Sequence, residues 1–112
     1  MAIFCKELNI FILYYRMKLV QLIPLRDGKH KYAAHFVKDN GKPKMVNFGQ
    51  AGADDYTLTG DKEQRDRYRR RHEKDLKTGD PTRAGYLSYY LLWGDSKDLN
   101  RNLAVYRRKF NL

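Results

Sequence analysis

At 112 residues the chain is long enough for one domain and too short for a second with its own core. Its 23 Lys/Arg against 13 Asp/Glu leave a net charge of +10, which narrows its partners to phosphate polymers, anionic surfaces or acidic proteins. Nine tyrosines, five phenylalanines and one tryptophan argue for a folded domain rather than a disordered basic tail, and a single cysteine, Cys5, excludes a disulfide framework and any multi-cysteine zinc site.

Residues 10–15 form an apolar run, from Ile10 to Tyr15, too short to span a bilayer. No small-residue cleavage site follows it, and Glu7 stands where a leader would need basic residues. The chain therefore reads as soluble and not secreted. Met17 stands just ahead of the first predicted strand. Residues 1–16 read either as an in-frame extension outside a functional domain of residues 17–112, or as an N-terminal element docked by Phe4, Leu8 and Phe11.

Lys18–Ile23 is an apolar-rich strand stopped by Pro24. Asp27-Gly28 then marks a tight turn. Lys31–Val37, rich in Tyr, His, Phe and Val, predicts a second strand. Asp39–Pro43 is another turn cluster, and Lys44–Phe48 a third short strand. Three strands joined by two tight turns make an antiparallel meander. From Gly49 to Gly60 the composition is that of a loop.

Asp61–Lys77 carries the strongest compositional bias, with eight Lys/Arg and five Asp/Glu and only Tyr68 and Leu76 suited to burial. It predicts a charged helix, capped by Thr59 or Asp61, with Tyr68, His72 and Leu76 on its inner stripe. Acid-to-base pairs at i,i+4 (Asp61–Arg65, Glu63–Arg67 and Asp66–Arg70) would add about 0.2–0.5 kcal/mol each. Thr78–Pro81 breaks this helix, and Asp80 followed by Pro81 is the usual signature of a new helix start. Ala84–Trp93, apolar or aromatic nearly all round, predicts the core helix, with Ala84-Gly85 allowing close backbone approach. Gly94 ends it, and Asp95 or Ser96 can cap a last helix whose Leu99, Leu103, Tyr106 and Phe110 share one face. The expected fold is α+β: a three-stranded antiparallel meander followed by three helices in a single compact domain.

No motif specifies a reaction. Cys5, His30, His35 and His72 share no spacing that would place them on one metal. Asp54-Asp55 is the best carboxylate pair, and with His72 it frames an alternative, a metal-dependent nuclease-like enzyme. The opposing reading of the pair is a cap or turn. Gly49–Gly52 has the Gly-x-x-Gly spacing of a phosphate-clamping loop, although it follows a strand rather than joining two helices. The basic residues need no motif to act. Arg67, Arg70, Arg71 and Lys74, with Arg107, Arg108 and Lys109 near the last helix's end, are the candidate contacts for an anionic partner.

Several segments in order carry a resemblance. They are Tyr32 and Phe36 on one strand, Asn47-Phe48-Gly49, Ala51-Gly52, Asp54-Asp55-Tyr56-Thr57, and the basic helix with Arg67-Tyr68 and Arg71-His72. Asp80-Pro81 with Gly85, Leu87-Ser88, Leu91 to Gly94, and Tyr106 to Phe110 complete the series. Together they resemble a family of small basic proteins encoded by large nucleocytoplasmic DNA viruses of eukaryotes, over roughly Tyr32 to Phe110. The resemblance implies an origin rather than an activity; from the residues, no cofactor is expected. It would place the chain in the virion, or in the cytoplasm or nucleus of an infected cell. The expectation is a non-enzymatic structural or binding protein whose partner is nucleic acid. The alternative is a minor capsid or assembly protein whose arginines meet acidic shell proteins.

Overall fold

The computed structural model describes residues 17–112, so the expectations for residues 1–16 lie outside the described residues. Strands β1 (Lys18–Pro24), β2 (His30–Val37) and β3 (Pro43–Gln50) form one antiparallel sheet in the order β1-β2-β3. Both turns are held by the side chains their sequences announce. Asp27 Oδ1 accepts from the amides of Lys29 (2.8 Å) and His30 (3.0 Å), which holds its carboxyl below the ordinary value. Asn40 Oδ1 accepts from the Lys42 amide (3.0 Å).

Pairing runs Leu19 opposite Phe36 and Leu22 opposite Ala34, with an irregularity between Leu19 and Gln21. Alternation alone would send residues three apart to opposite faces. The extra residue, Val20, forms a bulge that returns both leucines to the core side. On that side Leu19, Ala34, Phe36 and Phe48 are buried, with Leu22, Tyr32 and Val46 packed against them.

Four helices follow, one more than expected: α1 (Tyr56–Thr59), α2 (Lys62–His72), α3 (Ala84–Leu87) and α4 (Leu99–Phe110). The additional one, α1, is a single turn inside the predicted loop, capped by Asp55. Helix α2 is capped by Asp61, whose carboxylate accepts from the Gln64 amide at 3.0 Å. The predicted charged helix is not uniform to Lys77. After His72 it tightens into a 3₁₀ segment, Glu73–Thr78, ended by Gly79 in the left-handed conformation. It buries no residue completely, yet Tyr68 and Leu76 do pack on the core as expected.

The predicted start at Asp80-Pro81 is a turn instead. Asp80 Oδ1 accepts from the amide (2.9 Å) and hydroxyl (2.6 Å) of Thr82, and helix begins only at Ala84. The Thr82 hydroxyl also takes the Lys44 ammonium at 2.9 Å, tying this turn to β3. Gly85 is needed where the chain passes Asp75, since a Cβ there would lie 2.9 Å from Asp75 Cβ. The core helix then widens into a π segment over Ser88–Leu92. Leu87, Leu91, Leu92 and Trp93 are buried in one core cluster with the inner residues of the sheet. Helix α4 is capped by Asp98, not by Asp95 or Ser96. The cause is the preceding turn, clasped by buried Asn102: its amide donates to Leu91 O (2.9 Å) and Ser96 O (2.7 Å), and its carbonyl accepts from the Ser96 amide (3.1 Å). Tyr106 is fully buried on the predicted face, with Leu99, Leu103 and Phe110 partly so. No helix among the described residues is long and apolar enough to cross a membrane.

Candidate functional site

Helix α2 is seated by one aromatic stack. Tyr68 lies between His72, at a ring separation of 4.1 Å, and Trp93, at 4.4 Å and nearly parallel. Burial, followed by the nearby Asp75 carboxylate, pushes the Tyr68 phenol above its ordinary pKa. Two arginines flank this seat. Arg69 donates to the Trp93 carbonyl (2.8 Å) and to Asp95 (2.9 Å), and that bond holds the Asp95 carboxyl below its usual range. Arg65 lies over the Tyr56 ring at 4.6 Å and reaches Asp66 at 3.3 Å.

The predicted i,i+4 pairs do not form. Among the described residues, the ion pairs of this segment are Arg65–Asp66, Arg69–Asp95 and His72–Asp75. Asp61 is engaged as the cap, and Arg65 leans inward on Tyr56 rather than along the helix. Arg67, Arg70, Arg71 and Lys74 are exposed and none takes part in those ion pairs. Their spacing of three, one and three puts them along one face. Arg70, Arg71 and Lys74, joined by Lys77, line a shallow depression of about 540 Å³ that includes Glu73 and Leu76.

The three basic residues near the end of α4 part company. Arg107 is not a free contact. Its guanidinium donates from Nε to Leu19 O (2.8 Å) and from a terminal nitrogen to Val20 O (2.7 Å), at the β1 bulge. β1 is an edge strand of the sheet, and at its bulge this long cationic donor satisfies both carbonyls. The Leu19 amide donates to Leu112 O at 3.2 Å, so the end of the chain meets both the amide and the carbonyl of Leu19 at the outer edge of β1. Arg108 is exposed. Lys109 turns to the other side, with its ammonium 5.8 Å from the ring centres of Tyr90 and Phe110.

That side holds a cleft the sequence reading missed. It has a volume of about 490 Å³ and lies between the π segment and α4. Arg69, Arg101 and Lys109 line it together with Tyr89, Tyr90 and Asp95. Arg101, Val105 and Lys109 come from successive turns of α4. Burial, and then Tyr89 and Tyr86 beside it, push the Tyr90 phenol above its ordinary pKa, so it is neutral at pH 7. No signal in the sequence singled it out, because neighbouring residues of the same segment, such as Leu91 and Leu92, are buried together.

Asp54, Asp55 and His72, the residues of the nuclease-like alternative, do line one groove of about 350 Å³, with Lys31 and Arg71. Asp55 is nevertheless engaged. Buried, it caps α1 through the Thr57 amide (2.8 Å), accepts from the Thr57 hydroxyl and pairs with the Lys31 ammonium. His72 turns Nδ1 to Asp75 at 3.0 Å and lays its ring on Tyr68. Among the described residues no three His, Cys, Asp or Glu are grouped to hold a metal ion. Gly49 belongs to β3 rather than to a phosphate loop. Its φ is +77°, and a Cβ would stand 2.8 Å from Leu92 Cδ1, so glycine here lets the sheet and the core segment meet.

No curated protein and no solved structure matches the chain. Residues 20–72, from β1 through α2, are similar to a family described as one of unknown function, DUF5754.

Proposed function

We propose that this chain is a non-catalytic binding protein that lies along the phosphate backbone of nucleic acid. Arg67, Arg70, Arg71 and Lys74 are its primary contacts, with Arg108 and Lys109 on α4 as secondary ones. One observation carries this reading. The stripe on α2 and its 3₁₀ extension is exposed and stays out of the ion pairs around it, while the neighbouring Arg65 and Arg69 are held by rings, a carbonyl and carboxylates. Four unneutralised cations along one helical face on a chain of net charge +10 form an electrostatic footprint that attracts a polyanion and displaces its counterions. Arg107 is left out of the contact set because it holds the strand edge.

The test is equilibrium binding to labelled duplex and single-stranded probes between about 50 and 200 mM salt. Log affinity should fall linearly with log salt, and the Arg67→Gln/Arg70→Gln/Arg71→Gln variant should flatten the slope by roughly one unit per lost phosphate contact. Binding that ignores salt overturns the reading. So does binding to polyglutamate but to neither nucleic acid, which is what an assembly protein facing acidic shells would show.

A further inference from the structure

The cleft between the π segment and α4 differs in chemistry from the arginine stripe. Tyr89 is half-buried and stands outside the hydrophobic core, although it lies in the most apolar helix of the chain. Its ring meets Tyr90 edge-on at 5.0 Å, and the Arg69 guanidinium lies 5.9 Å from its centre. The Arg69 position is set by its bonds to the Trp93 carbonyl and Asp95, so the planar cation is fixed before any ligand arrives. Across the cleft Arg101 and Lys109 stand two turns apart on one face of α4, both exposed. Three cations against the single carboxylate of Asp95 leave the lining positive.

A ligand for this cleft needs a flat π-face and negative charge beside it. An acidic peptide supplies the charge but leaves the tyrosine unmatched. A duplex has the charge, but its base faces are already stacked inside. An unpaired nucleotide has both: aromatic faces stack on tyrosine, arginine planes stack on bases, and phosphates seek lysine and arginine. A cleft of about 490 Å³ is within the range of small-ligand sites.

We propose that this cleft receives one base of a single-stranded nucleic acid, stacked on Tyr89 beside Arg69, with the adjoining phosphates at Arg101 and Lys109. The proposal rests on the reading that the partner is nucleic acid, and it names the form. The stripe on α2 gives affinity for any phosphate backbone; the cleft adds preference for an unpaired strand.

The experiment compares a labelled oligothymidylate with a hairpin duplex carrying the same number of phosphates. Tyr89→Leu, which keeps bulk and removes the ring, should weaken single-strand binding about tenfold, the scale of one base–aromatic stack, and leave duplex binding within about twofold. Lys109→Gln should flatten the single-strand salt slope. Equal loss on both probes, or no loss on either, overturns the cleft. Thermal melting establishes that Tyr89→Leu is folded. A strand carrying iodouracil supplies a readout on the unaltered protein: photo-adducts on Tyr89 or Tyr90 are expected, and adducts confined to α2, or none, overturn the proposal. The two readings fail separately. If the α2 triple variant keeps full duplex affinity, the stripe is wrong while the Tyr89 result still decides the cleft; absence of binding to either probe at low salt overturns both.

Discussion

Replacing Arg107 with methionine separates a cation that holds the fold from cations that meet a partner. The substitution keeps an unbranched stem and removes both bonds at the β1 bulge, to Leu19 O at 2.8 Å and Val20 O at 2.7 Å. A hydrogen bond from a charged donor contributes about 1.5–3 kcal/mol. The bond to Val20 is exposed to solvent, where water replaces the lost donor cheaply, so the pair together is worth about 2 kcal/mol rather than double the range. For a domain of this size that lowers the melting temperature by about 7–10 °C. Arg70→Met removes a cation with no partner among the described residues and should move melting by less than about 4 °C. The salt dependence of nucleic-acid binding, measured well below the melting range, should behave oppositely. Arg107→Met leaves the slope unchanged, and Arg70→Met reduces it by roughly one unit. Thermal circular dichroism and anisotropy titrations on the same preparations read both quantities. An Arg107→Met protein that melts like the parent yet loses a unit of slope would refute the reasoning.

Three further outcomes follow from buried geometry. Asn102→Ala removes the partners of Leu91 O, Ser96 O and the Ser96 amide, and should cost about 2–4 kcal/mol in urea unfolding; a loss under 1 kcal/mol would mean the clasp is dispensable. Gly49→Ala places a Cβ 2.8 Å from Leu92 Cδ1 at a positive φ, so the same measurement should show a loss of about 2–4 kcal/mol, and parental stability would contradict the close packing. Burial opposes the charge of Asp80, but the Thr82 hydroxyl and amide, with Lys44 and Arg83 nearby, outweigh it and hold the carboxyl below its usual value. A depressed carboxylate contributes its stability above the unfolded value of about 3.9 and loses it as pH falls through the folded one. Asp80→Asn should therefore flatten the acid limb of stability against pH; an unchanged acid limb would exclude Asp80 as a source of it.

The meander was legible because its determinants are local. Asp27-Gly28 and Asn40-Gly41 close their turns with bonds that span two or three residues. The last helix was legible for a related reason, since Leu99, Leu103, Tyr106 and Phe110 repeat at helical spacing around one face. What escaped the sequence depends on distant partners. Arg107 is chemically indistinguishable from Arg108 in a string of letters, and only the β1 bulge, far away in the chain, decides that one turns inward. The π segment is hidden because Ala84–Trp93 is apolar on every side, so an extra residue in one turn leaves no trace in the pattern. The acidic residues of α2 looked like neighbours for its arginines at i,i+4. Capping by Asp61 and the Tyr56 ring beneath Arg65 drew the Asp61–Arg65 pair apart instead. The stripe Arg67, Arg70, Arg71 and Lys74 was foreseeable as charge, while the Tyr89 cleft required knowing which face of the core helix α4 leaves uncovered.

The stack that seats α2 also gives the molecule an optical label of its own. Trp93 is the single tryptophan of the chain, it is buried, and its ring lies 4.4 Å from Tyr68, which in turn carries His72. Excited indole therefore emits from one environment, whose polarity and quenching are set by whether the charged helix is seated. Lifting of α2 by a partner, or its early melting, would wet the indole and red-shift its emission while far-ultraviolet dichroism of the sheet stayed unchanged. The helix that carries the most charge thus reports its own docking through the one residue in the chain able to signal it.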